Sequence, residues 1–241
     1  MAYIKRNLEA AFRKGSEFFP AMLLTGPRQV GKTTFLRHIC EKSRAYVSLD
    51  EPLLCSLAKS DPKAFLERFK PPVLIDEMQY APQLLPWIKI MIDETRQPGM
   101  FWLTGSQQFH LMKNVTESLA GRIGILDMLG LSQQELNRSS APAPFLPGSS
   151  TAFDAPETNV VEFYAKIWRG SFPAMATASE SDWPLFYASY VRTYLERDVR
   201  DLAQVGDIER FLRFLRASAA RTGQLLNYSD LARDADVSVM T

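Results

Sequence analysis

Residues 26–33 read Gly26-Pro27-Arg28-Gln29-Val30-Gly31-Lys32-Thr33, a complete G-x-x-x-x-G-K-S/T loop. Residue types in this pattern bind phosphate. Glycines let backbone N–H groups wrap the phosphates, a lysine reaches the β and γ phosphates, and a hydroxyl ligates magnesium. The apolar run Ala21-Met22-Leu23-Leu24-Thr25 stands directly before the loop and suits a buried parallel strand. Thr33 to Cys40 suits a helix, so the loop falls where strand passes to helix and the helix N-terminus adds its positive dipole. A second strand, Val73-Leu74-Ile75, runs into Asp76-Glu77. Two carboxylates at the end of a buried strand, downstream of such a loop, divide the work of phosphoanhydride hydrolysis. Asp76 is expected to hold magnesium and Glu77 to orient and polarise the attacking water. The expected ligand is therefore a nucleoside triphosphate with Mg2+. Thr34 completes the expected phosphate and metal cradle with Gly26, Pro27, Arg28, Gln29, Val30, Gly31, Lys32 and Thr33.

Further elements must bring these groups together. Met100-Phe101-Trp102-Leu103 forms another buried run and ends in Thr104-Gly105-Ser106-Gln107. The pattern resembles additional-strand P-loop ATPases, in which the strand inserted here presents a polar sensor to the γ-phosphate; Thr104 or Ser106 fits that role by position, although a plain Thr-Gly-Ser turn has the same appearance. A helix is expected from about Gln107 to Ala120, capped by Gly121, before the strand Ile123-Gly124-Ile125-Leu126-Asp127-Met128. Arg122 has two readings. A cation is favoured at a helix C-terminus, and in the ring-forming ATPases that the pattern resembles an arginine at the end of this helix completes a neighbouring subunit's site.

Several stretches together resemble a group of prokaryotic AAA-type ATPases, related to the archaeal ATPase and STAND lineages. They are Gly26-Pro27-Arg28-Gln29-Val30-Gly31-Lys32-Thr33-Thr34, Leu49-Asp50-Glu51-Pro52, Asp76-Glu77-Met78-Gln79-Tyr80-Ala81-Pro82, Leu103-Thr104-Gly105-Ser106-Gln107-Gln108, Leu119-Ala120-Gly121-Arg122 and Tyr194-Leu195-Glu196-Arg197-Asp198. The resemblance implies an α/β P-loop core with an additional strand, order 5-1-4-3-2, then a winged helix and a nuclease-like C-terminal domain. It also implies ATP as the nucleotide, a catalytic set of Lys32, Glu77 and Arg122, and a homo-oligomer in which Arg122 acts in trans. In STAND-type members a Gly-x-Pro turn packs its proline on adenine. Pro173 of Gly170-Ser171-Phe172-Pro173 stands at that place, with Ser171 where a second glycine is usual; a helix-to-helix turn explains the same residues.

The implied organisation is an ATPase domain over 1–136, a Ser-, Pro- and Ala-rich linker or loop over 137–159, a helical lid over 160–205, and the start of a winged helix over 206–241. Long helices are expected at Trp183 to Leu202 and Ile208 to Arg221, where apolar residues recur at spacings of three and four. Arg192, Arg197 and Arg200 read as salt-bridged surface or, for one of them, a lid arginine sensing nucleotide. Asn227-Tyr228-Ser229-Asp230 has capping character and opens a helix-turn-helix whose recognition helix would lie beyond Thr241. The chain thus reads as part of a longer protein, with a DNA or protein partner expected through that further part.

Composition narrows the classes. With 241 residues, 46% hydrophobic and 23% charged, the chain can bury a full core. Its net charge of +1 gives no global electrostatic case for nucleic acid. From residue 191 onward eight arginines face eight acids, so that segment is not strongly basic either. No apolar run reaches the length of a membrane span, and the N-terminus lacks signal-peptide character, so a cytoplasmic location without membrane contact is expected. Cys40 and Cys55 lack metal spacing and read as reduced core residues, and His38 and His110 show no ligand cluster. No N/T-K-x-D guanine-reading sequence occurs. A nucleotide-dependent switch with little turnover, or a DNA-stimulated ATPase, would use the same pocket.

Overall fold

The computed structural model describes residues 3–105, 115, 118–138, 159–177, 182–194 and 208–238. It divides into two units, residues 1–181 and 182–241.

The first unit is built on five parallel strands, β1 Ala21–Thr25, β2 Ala45–Ser48, β3 Val73–Asp76, β4 Phe101–Thr104 and β5 Ile123–Asp127. Their order is β2-β3-β4-β1-β5, which counted from the β5 edge is 5-1-4-3-2. β4 lies between β1 and β3, so the ends of the three central strands converge on one edge. Register is set at matching positions: Leu24 pairs with Thr104, Thr25 with Asp127, and Ser48 with Asp76.

Alternation along each strand explains why these runs are apolar throughout. In β1, Ala21 and Leu23 enter one core cluster while Met22 and Leu24 enter the other. β3 does the same with Val73 and Ile75 against Leu74, and β4 with Phe101 and Leu103 against Trp102. Side chains of successive strand residues point to opposite faces, so a strand covered on both sides must be apolar at every position. Helices α3 Pro52–Ser60, α4 Pro62–Arg68 and α5 Leu84–Thr95 supply the first cluster through Ala58, Phe65, Leu66, Leu84, Leu85, Ile88 and Ile92. Helices α1 Leu8–Phe18 and α2 Lys32–Ile39 supply the second through Phe12, Phe35, Leu36 and Ile39.

Two starts illustrate the local chemistry. Pro62 occupies the first turn of α4, and the Asp61 carboxylate accepts from Ala64 N at 2.9 Å. A proline there loses nothing, because that N–H has no helical partner anyway. Downstream, α6 Gln133–Leu136 carries a full capping box, in which Ser132 Oγ accepts from Glu135 N and Glu135 accepts from Ser132 N.

Phe12 is the sole fully buried side chain of α1. Its ring meets Phe35 edge-on at 5.9 Å and Trp102 at 4.9 Å, which fastens α1 to α2 and to the sheet. Phe12→Ala is expected to lower the unfolding free energy by about 3–5 kcal/mol, since a cavity and lost aromatic contacts add together. Denaturant unfolding followed by circular dichroism checks this; a change below about 1 kcal/mol would show that α1 is not anchored through Phe12.

Beyond β5 come α7 Val160–Arg169 and α8 Pro173–Thr177, and in the second unit α9 Trp183–Tyr194, α10 Ile208–Ala220 and α11 Tyr228–Ala235. Helices α10 and α11 pack together, and Arg221 Nη2 bonds Asp234 at 2.5 Å. Most of the expected 137–159 linker, and the residues 195–202 that end the expected long helix from Trp183, lie outside the described residues.

Candidate functional site

The phosphate loop and both carboxylates meet where β1, β3 and β4 end. Gly26 follows β1 with φ 134°, and a side chain there would put Cβ 2.1 Å from the Met128 carbonyl oxygen. Only glycine fits so close a backbone approach. Gly31 at φ 93° turns the chain in the left-handed region into Lys32, the first residue of α2. Val30 is buried and belongs to the cluster beneath the loop. Pro27, Gln29 and Thr34 are exposed, and Arg28 and Gly31 are intermediate.

Lys32 is buried, and its Nζ donates to Gly26 O at 3.0 Å and Pro27 O at 2.8 Å. The Thr33 hydroxyl donates to Asp76, 2.8 Å from Oδ2 and 3.1 Å from Oδ1. Thr33 and Asp76 therefore present hard oxygen donors side by side, next to the lysine. That donor set suits magnesium, which takes one or two protein oxygens and completes its shell with water and phosphate. Among the described residues no cluster of three His, Cys, Asp or Glu side chains forms a dedicated metal cage.

Thr104 is fully buried at the end of β4. Its hydroxyl donates to Asp76 Oδ1 and accepts from Glu77 N, which lies 3.2 Å away. One hydroxyl thus clips both carboxylate-bearing residues to the neighbouring strand. Ser106, the alternative of the pair, lies outside the described residues. Glu77 has φ 58°, a left-handed conformation rare for a residue with a side chain, and it opens the short 3-10 turn Met78–Tyr80. Buried Met78 anchors that turn, and Gln79 Nε2 donates to the Glu77 carboxylate. Backbone strain of this kind gathers where side chains are aimed for chemistry.

Three contributors escaped the sequence reading. Tyr46 on β2 donates its hydroxyl to Asp76 Oδ2 at 3.1 Å. Burial raises its pKa above the usual tyrosine value, and the Asp76 charge acts in the same direction, so the phenol stays a donor at neutral pH. Gln79 is the second. The third, Arg6, is buried ahead of α1 and donates to Val30 O in the loop and to Leu129 O and Gly130 O after β5. It also pairs with buried Glu135 at 3.3 Å. Burial lowers the Arg6 pKa, against the opposing pull of Glu135. Four short segments are tied together by this one guanidinium.

One expected residue, Arg122, stands apart from the phosphate loop. Arg122 O accepts from Ala21 N, so Arg122 lies where β1 and β5 begin, a strand length of roughly 15 Å from the loop. Gly121 has φ 75°, a left-handed backbone that suits glycine, and most of the helix expected from Gln107 to Ala120 lies outside the described residues. The Arg122 guanidinium grips Asp93 through two bonds, 2.6 and 3.1 Å long, at the end of α5. That pairing raises its pKa and lowers that of Asp93. Pro173 begins α8, and its neighbour Phe172 packs against the cluster containing Val30 and Met128. Ser171 O accepts from Leu131 N at 2.7 Å, holding this turn on the loop after β5. A separate cleft of 1020 Å³ opens beside Arg44, Pro71, Pro72, Trp87 and Gly99, where the strands begin. Phosphate chemistry does not belong to it, because the loop and carboxylates sit at the other ends of the strands.

Together, the parallel sheet, the phosphate loop and the strand-end carboxylates form a P-loop domain, and residues 19–137 match the family model of an AAA domain, AAA_14. Residues 161–241 match a domain of unknown function, DUF8612. The chain is 30% identical over 240 residues to the uncharacterized proteins Rv2008c of Mycobacterium tuberculosis and Mb2031c of Mycobacterium bovis. These matches take in 98% of this chain and 49% of each relative, so the chain spans about half the length of the curated relatives it matches. Among solved structures it is similar to the Walker-type ATPase PABY2304 of Pyrococcus abyssi, with a TM-score of 0.52 and 16% identity over 97% of this chain and 89% of that one. At that identity the likeness shows a shared fold. No helix among the described residues is long and apolar enough to cross a membrane.

Proposed function

We propose that the P-loop domain binds ATP with magnesium and hydrolyses it to ADP and phosphate. One observation carries this reading: Lys32 and Thr33 at the start of α2 meet the carboxylate-bearing end of β3, where Asp76 and Glu77 stand, beside a glycine-shaped loop. Lys32 Nζ would exchange its two loop carbonyls for phosphate oxygens, and backbone N–H groups of residues 28–34 would cradle the β phosphate. Thr33 and Asp76 would hold magnesium, which neutralises charge on the β and γ oxygens when bound. Glu77 would orient the attacking water and accept its proton as the new bond to the γ phosphorus forms and the bond to the bridging oxygen breaks. Thr104 would keep Asp76 and Glu77 in register rather than touch the nucleotide, because its hydroxyl is committed to them. Adenine preference is supported by the resemblance, under which Pro173 would pack on the base. Equilibrium binding of ATP, ADP and GTP in magnesium tests the ligand: micromolar or tighter ATP with much weaker GTP is expected, and equal GTP affinity would remove the adenine assignment.

In the same scheme Arg122 acts on a neighbouring subunit's nucleotide once assembly displaces Asp93. The specific rate of ATP turnover is then expected to climb with protein concentration in the parent and to stay low and flat in Arg122→Ala. A parent rate independent of concentration would mean that each subunit hydrolyses ATP alone. The second unit, with Asn227 capping α11 through Ser229 N and Asp230 N, supports the start of a winged helix that transmits nucleotide state to a partner. Stimulation of turnover by duplex DNA would identify that partner as DNA.

A further inference from the structure

Asp76 is held by more hydroxyls than the proposed hydrolysis uses, and one of them comes from outside every motif. β3 carries Asp76 between β2 and β4, and each neighbouring strand sends one hydroxyl to one carboxylate oxygen. Thr104 of β4 donates to Oδ1 and Tyr46 of β2 donates to Oδ2. The third donor, Thr33, is the one that a metal ion would recruit.

Resting on the ATP and magnesium reading above, we propose that Tyr46 is a positioning residue for the metal-binding carboxylate. Two fixed donors, one on each oxygen and one from each side, leave the Asp76 carboxyl plane a single orientation. When the Thr33 hydroxyl turns away from Asp76, Tyr46 and Thr104 preserve that orientation, so the metal meets a preset oxygen. The placement of Tyr46 follows from the sheet. Ser48 is level with Asp76 and Tyr46 with Leu74, so a tyrosine two residues back is long enough to reach forward to the carboxylate. Tyr46 is 39% exposed at the sheet edge, but its hydroxyl is turned onto Asp76, a residue that is 4% exposed. The Arg37 guanidinium, 4.8 Å from the ring centroid, covers the ring from α2 and limits its swing. Groups that orient a ligating carboxylate typically change metal affinity about 10–100-fold when removed.

Tyr46→Phe removes the hydroxyl and keeps the ring beneath Arg37. ATP affinity is measured at equilibrium, first in EDTA and then across a MgCl2 titration. The expected result is unchanged affinity in EDTA and about a tenfold rise in the magnesium concentration needed for half of the metal-dependent gain. In an Asp76→Asn background the same substitution is expected to change nothing further. Tyr46→Leu, which also strips the ring, should match Tyr46→Phe toward magnesium. Identical magnesium titrations for the parent and Tyr46→Phe, or a shift only in Tyr46→Leu, would overturn the role of the hydroxyl. A parent protein whose ATP affinity ignores magnesium would instead overturn the metal reading itself.

Discussion

Glu77→Gln is expected to bind ATP as tightly as the parent and to release phosphate about 10²–10⁴-fold more slowly, the usual contribution of a positioned general base. The substitution is nearly isosteric and keeps the 3-10 turn, the left-handed backbone at residue 77 and the bond from Glu77 N to Thr104. What it removes is the charge that draws a proton from water. The Gln79 amide, which now donates to a carboxylate, can donate to the amide oxygen that replaces it. Binding is therefore spared while chemistry is lost. Rapid-quench phosphate release, together with an independent measure of ATP affinity, checks both halves. Turnover within threefold of the parent would move the base assignment away from Glu77.

Lys32→Ala has the second large effect, and it falls on affinity. Each hydrogen bond to a charged partner contributes about 1.5–3 kcal/mol. A lysine bonded to two phosphate groups thus accounts for roughly 3 kcal/mol or more, and ATP binding is expected to weaken at least about 100-fold. Lys32 is buried and its ammonium now satisfies two loop carbonyls, so thermal unfolding must accompany the binding measurement. A variant that melts like the parent but binds ATP equally well would contradict the phosphate loop as the nucleotide site.

Parts of this architecture could be read directly from the chain because short-range patterns encode them. β1 and β3 are runs buried on both faces, and the structured strands Ala21–Thr25 and Val73–Asp76 coincide with those runs. The loop glycines are legible because left-handed backbone and a clash with Met128 leave glycine alone able to occupy residue 26. β2 is different. Its four residues alternate in burial over too short a span to be separated from a loop, and its place in the sheet came from family resemblance alone. Tyr46 was invisible for that reason: only pairing with β3 brings its hydroxyl to Asp76. Arg6 was equally hidden, since its partners are residues 30, 129, 130 and 135, and nothing in a local window links them. The polar end of β4 was recognised as part of the site, but the direction of the Thr104 hydroxyl depends on how closely β3 packs beside it. Asp93 as the partner of Arg122 required knowing that α5 ends where β5 begins.

Phosphate release from ATP by the unaltered protein, with magnesium and then with a chelator, tests whether the P-loop domain hydrolyses ATP. Sustained release over many turnovers is expected in magnesium, and none when the metal is chelated. Firm ATP binding in magnesium with no release over many binding lifetimes would contradict it, and would leave the site as a nucleotide-dependent switch.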